Sequence, residues 1–240
     1  MNRIIEMPSE GLLAMRVASR LRSVKTKYLA RANRHIIANS LNKWTYHYGI
    51  IRFTAGSSLL ANDYFYYETE LGIPEWLAKL EQTLSKGMSL EKSKTWARDF
   101  LAATPVGVDL NKIKDQFLVV VLHSALSSFS HEKFPFLKVA IQGAIELWQR
   151  QDIGSDYWLS AAEVVEQAVW CAEPIIDSEA WAAAWATEYA MRAAIELAAT
   201  WAADSAAWTS AGMEREWLAA RTAKFDYFAD ELLKILSEAQ

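Results

Sequence analysis

An all-α fold is predicted for this chain: a single Trp-rich bundle or array of about eight helices with a long Ala-rich C-terminal helix. Three observations predict it. Fifteen of the 34 residues from Ser178 to Ala211 are alanine and none is proline. Alanine is the strongest helix former because it has no side-chain rotamers to freeze. Seven of the ten prolines and glycines from Gly72 onward fall where helices start and stop, at Gly72, Pro74, Gly87, Pro105, Gly107, Pro135 and Pro174. Finally, 52% of the 240 residues are hydrophobic and 22% charged, enough apolar surface for a core and too much for a disordered chain. The 11 tryptophans strengthen that point, since each ring can bury about 150–250 Å².

The first element is expected from about Ser9 to Leu41. At about 100° per residue, Arg16, Arg20, Lys27, Arg31 and Arg34 fall in an arc of roughly 60°. Val17, Leu21, Val24, Tyr28, Ala32 and Ile36 fill the neighbouring arc, which makes an amphipathic basic helix. Residues 45–56 carry Tyr46, Tyr48, Ile50, Ile51 and Phe53 up to Gly56, compatible with a short strand or a packed loop. A helix over Ser58–Leu71 is ended by Gly72, and Pro74 opens another that stops at Gly87. Ser89 caps a helix through Ala102, and Asp109 caps the next, which carries Phe117 to Leu122. Pro135 starts one reaching about Arg150, and Ser155 or Asp156 starts one reaching Ala172. The tail from Ser178 then reads as one very long helix or two end to end, roughly 50 Å at 1.5 Å per residue.

Charge divides the chain. Ten basic and two acidic residues lie in residues 1–62, a sum of +8, leaving −12 for residues 63–240. The two parts are read as a basic N-terminal helix with an irregular or strand segment, packed on an acidic helical domain. Docking onto that acidic body is the favoured role for the basic face. Contact with nucleic acid through Arg16, Arg20, Lys27, Arg31 and Arg34 is the alternative, with Trp44, Tyr46 and Tyr48 available to stack bases.

Catalytic signatures are absent: no phosphate loop, dinucleotide fingerprint, nucleophile elbow or paired-histidine zinc pattern occurs. The lone Cys171 allows no internal disulfide. His123 and His131 lie eight apart, but Ser130 and Pro135 end the helix that would align them, so no metal is expected. Asp63, Glu68 and Glu70 beside Tyr64, Tyr66 and Tyr67 read as solvated carboxylates on an amphipathic helix. The tail offers more. Glu188, Arg192, Glu196, Thr200 and Asp204 recur at four-residue steps as one ridge. On a continuous helix Trp181 and Trp185 share a side with Glu188 and Arg192, whereas Leu197, Trp201 and Trp208 lie nearly opposite. Trp181, Trp185, Glu188, Arg192 and Glu196 could hold a planar or anionic small molecule by stacking and charge-assisted bonds.

Two segments carry a resemblance. Ile73-Pro74-Glu75-Trp76-Leu77-Ala78, then Phe100 to Leu110, resembles a pattern in uncharacterised bacterial and phage helical proteins with an Ala/Trp-rich tail. Their tail ends in a motif similar to Tyr227-Phe228-Ala229-Asp230-Glu231-Leu232-Leu233. Phe136 to Gln151 with the Ala/Trp helices is similar, more weakly, to a family named for an immunity role. The resemblance spans about residues 73–236 and implies no catalytic residues. The expectation is therefore a non-enzymatic binding protein that recognises and inhibits another protein. Its alternatives are a receptor for a nucleotide-like molecule and nucleic-acid binding. No cofactor and no membrane contact are expected. The longest strongly apolar run without a charge, Phe117 to Leu122, is too short to span a bilayer, and a cytoplasmic location is the default.

Overall fold

A computed structural model describes residues 10–37, 64–150, 160–161, 163–167, 178–210 and 214–239; side chains at 10–16, 35, 37, 65, 66, 178, 210 and 214 lie outside the description. Nine bounded helices occur among the described residues: α1 Glu10–Ile37, α2 Phe65–Leu71, α3 Glu75–Gly87, α4 Leu90–Ala103, α5 Asn111–Leu126, α6 Pro135–Gln149, α7 Ser178–Met191, α8 Ile195–Ser210 and α9 Glu214–Glu238. Residues 160–161 and 163–167 are also helical. The protein is all-α, as its sequence predicts. Residues 45–56 and Cys171 lie outside the described residues, so the question of a strand falls there too. Among the described residues no helix is long and apolar enough to cross a membrane.

The helix ends follow local chemistry. Gly72 takes the left-handed conformation (φ 68°) and donates its N–H to the Glu68 carbonyl, closing α2. Pro74 stands in extended conformation just before α3, where its missing N–H costs nothing. The Ser89 hydroxyl accepts the Lys92 N–H at 3.3 Å, and Asp109 Oδ1 accepts the Asn111 N–H at 3.0 Å. Gly87 departs from its expected role. It is the last helical residue of α3 rather than a left-handed stop, and a Cβ there would stand 2.3 Å from the Phe225 ring. The glycine makes room for α9.

The Ala-rich tail is not a rod. Its helix breaks at Arg192–Ala194, where Ala193 adopts φ 56°, and α8 folds back along α7. Trp181 meets Trp201 with centroids 5.0 Å apart, and the Ser205 hydroxyl donates to the Glu179 carbonyl at 2.7 Å. Ala182, Ala183, Ala184, Ala186 and Ala190 on α7, with Ala198, Ala199, Ala202, Ala203 and Ala207 on α8, are all fully buried. Alanine at these positions makes the helices but also leaves them a thin, closely approached seam. The seam overrides a break that propensity alone disfavours.

Around this hairpin the core closes on α5 and α9. α5 touches α6, α7, α8 and α9, while α9 reaches back to α3 and α4. Phe228 is fully buried and sits edge-on to Phe117 at 6.1 Å. Asp226 Oδ1 accepts the Ser89 N–H at 2.9 Å, so the α4 entrance is held by a side chain from α9. Arg221 pairs with Asp204 of α8 at 2.5 Å and lies over the rings of Trp217 (5.6 Å) and Phe225 (4.8 Å).

The basic helix α1 docks on α4 and α2. Its expected apolar face does the docking: Tyr28 and Ala32 are buried, and Leu21 lies against Gly72. The Tyr28 hydroxyl donates to Glu70 at 2.5 Å, and Lys25 Nζ donates to the carbonyls of Ala102 (3.0 Å) and Thr104 (2.6 Å) at the α4 C-terminus. A cation is favoured there because the last carbonyls of a helix carry partial negative charge. The anticipated neutralisation of the arginine face by the acidic body does not occur at Arg20, Lys27 or Arg34. They are exposed and, among the described residues, form no ion pair.

Candidate functional site

The fold-back at Ala193 redistributes the residues of the expected ligand site. Trp181, Trp185 and Trp201 come together: Trp181 is edge-on to Trp185 at 6.1 Å, and Trp185 lies over Trp201 at 6.3 Å and Tyr189 at 5.8 Å. A continuous helix would set Trp201 nearly opposite Trp181; the break at Ala193 brings the two rings together. The interlocked rings are half-buried and fill each other's space, and the Trp185 indole N–H is buried without an acceptor. Glu188 and Arg192 form a 2.5 Å ion pair in which the guanidinium is mostly exposed and the carboxylate nearly covered. Glu196 does not join them. It lies in the first turn of α8 and acts electrostatically on Lys79 and Tyr64. Asp204, the far end of the expected ridge, is held by Arg221. The five-residue cluster is thus an aromatic seam, an ion pair at its turn and a carboxylate elsewhere.

On α1 the polyanion candidates keep their common flank. Arg20, Lys27 and Arg34 are exposed, Arg31 is half-covered with its guanidinium 5.8 Å from the Tyr28 ring, and the Arg16 side chain lies outside the description. The aromatics proposed to stack bases, Trp44, Tyr46 and Tyr48, also lie outside it. His123 is exposed on α5, whereas His131 bonds the Leu126 carbonyl at 2.6 Å and packs edge-on to Phe129. Among the described residues no group of three His, Cys, Asp or Glu could hold a metal. Of the tyrosine and carboxylate cluster, Glu70 accepts from Tyr28, and Tyr64 donates to Gln82 at 3.0 Å. Glu68 is exposed, and Asp63 lies outside the description.

Two features went unread in the sequence. One is Glu81, which belongs by type on a polar face yet is 1% exposed on α3. Burial pushes its carboxyl up to about 8, although Trp96, Tyr67 and Lys86 act against the shift. Its Oε2 and the Trp96 indole nitrogen are both buried without a hydrogen-bond partner. The Trp96 influence is therefore one of proximity, not of a formed bond. The other is a groove of about 260 Å³ between α6 and Ser160, Ala161, Val164 and Val165. Val139, Ala140, Gly143, Ala144 and Leu147 line it from α6 and Val164 and Val165 from the facing stretch, with the exposed Glu146 and Arg150 also in its lining. A Cβ at Gly143 would meet nothing within 4 Å. The α6 sequence carried a hint: Phe136, Val139 and Gly143 lie one turn apart on a face opposite Leu137, Ile141 and Ile145.

No family model, curated protein or solved structure matches the chain.

Proposed function

We propose that the protein is a non-enzymatic helical binding protein that takes another protein at the α6 groove and inhibits it. One observation carries this reading. Val139 and Val164, 64% and 53% exposed, line one concave surface, and Phe136, 80% exposed, lies one helical turn before Val139 on α6. Contiguous apolar exposure of this kind marks interaction sites on folded proteins. The size of the groove selects the occupant. Small-molecule pockets run to about 300–1,000 Å³, whereas a cavity of about 150 Å³ already accepts benzene. At about 260 Å³ the groove is suited to one large apolar side chain of a partner, flanked by polar contacts at Glu146 and Arg150. Inhibition of that partner comes from the resemblance to immunity-type proteins alone.

The test fills the groove without touching the core. Gly143→Leu places a side chain into open space and removes a helix-interior glycine, so the fold should hold or gain up to about 1 kcal/mol. Affinity capture from the native host's extract should recover a partner with wild type and lose it with Gly143→Leu. Equal recovery by both would sink the reading. Mass spectrometry of the purified protein for a retained small molecule tests the receptor alternative at Trp181, Trp185 and Arg192 in the same preparation.

A further inference from the structure

We propose that the exposed flank of α1 binds the phosphate backbone of double-stranded nucleic acid without reading its sequence. Arg20, Lys27 and Arg34 recur every seven residues, so on a helix they form a gently slanting row, drifting about 20° per step, with steps of about 10.5 Å. The row is about 21 Å long, the rise of roughly six base pairs at 3.4 Å each. All three are exposed, and among the described residues none is ion-paired. No acidic residue occurs between Glu10 and Asp63 to repel a phosphate. Between the cations the same flank carries Ser23 and Ala30, both exposed. Small residues let a backbone approach closely, and serine hydroxyls are common phosphate donors.

The alternatives for a basic helix are excluded by what surrounds the row. A helix that enters a membrane surface needs a free apolar face. That of α1 is spent on the core through Tyr28 and Ala32. A protein partner needs apolar or aromatic anchors at the centre of its interface. This flank has none, with Val17 only at its edge. Single strands are held by stacking on aromatic rings, and the described flank carries no ring to stack them. The groups on offer are cations and a hydroxyl suited to phosphate oxygens, and phosphate contacts carry no sequence information, so the binding is indifferent to base sequence. A net charge of −4 means that the attraction is local and will be steeply salt-dependent.

The experiment is fluorescence anisotropy with a labelled 20-base-pair DNA duplex of arbitrary sequence, across a salt series. Three phosphate contacts give a log–log slope near −2.7, so binding should weaken roughly 40-fold between 50 and 200 mM salt. The triple variant Arg20→Gln, Lys27→Gln, Arg34→Gln should lose most of the affinity and nearly all of the slope, with an unchanged melting temperature. Arg22→Gln removes an exposed charge from the other side of α1 and should change little. No duplex binding by wild type at 50 mM salt would overturn the proposal. So would an equal loss in Arg22→Gln and the triple variant, or tighter binding to a single strand, to phosphatidylserine vesicles or to polyglutamate than to the duplex.

Discussion

Glu81 carries the largest consequence of any one side chain. Its carboxyl sits in the core between α3 and Trp96, pushed from an ordinary 4.5 to about 8 because burial disfavours the charged form. The folded state therefore keeps a proton that the unfolded chain releases. Stability tied to this group is fully present below about pH 4.5 and falls as pH rises toward about 8, by on the order of 3–5 kcal/mol across that window. Glu81→Gln removes the ionisation while keeping size and polarity. Other groups titrate in both proteins, so the informative quantity is the difference in unfolding free energy between variant and wild type. That difference should grow in favour of Gln from pH 5 to pH 8. A difference that stays flat with pH would show that Glu81 ionises as freely in the folded state as in the unfolded one.

Helix by helix, the sequence predicts starts better than breaks. Gly72, Pro74, Ser89 and Pro135 act through the residue's own backbone and side chain, so their effect is local and readable in any context. Gly87 is different. Its meaning lies in Phe225, 138 positions away, and no local rule reveals that. Ala193 is the harder case, since nothing in a run of alanines marks one as left-handed. The break follows from tertiary packing, which buries ten alanines and three half-covered indoles when α8 doubles back. The same error of continuity placed Trp201 away from Trp181 and joined Glu196 to Arg192. The basic flank of α1, by contrast, survived because the helix is unbroken over all its members. A left-handed alanine costs about 1–2 kcal/mol, a cost that glycine avoids. Ala193→Gly should therefore raise stability by about 1 kcal/mol, read as a higher denaturant midpoint with unchanged slope. Destabilisation would mean that the tail prefers a continuous helix.

Across the molecule, the question is which helix the others depend on. The hairpin α7–α8 has the most alanine and tryptophan, but its indoles are half-covered, and truncating one lets its neighbours close in. α9 reaches farther, with Phe225 in the Gly87 notch of α3, Asp226 at the α4 entrance, Arg221 on Asp204 of α8 and Phe228 on Phe117 of α5. Phe228 is fully enclosed, so Phe228→Ala leaves a cavity between helices that are pinned elsewhere and cannot collapse onto it. The expected cost is ~3–5 kcal/mol, which for a chain of this size lowers the melting temperature by about 6–20 °C. Trp201→Ala, in the partly open aromatic seam, should cost less. Both variants are to be melted with far-UV circular dichroism and tryptophan fluorescence in parallel. If α9 ties the molecule together, Phe228→Ala shifts the two signals together, because helix loss and loss of the Trp environment then belong to one transition. A larger shift from Trp201→Ala, or a fluorescence transition that stays put while helicity is lost early, would place the dependence in the hairpin and leave α9 as a helix laid over it.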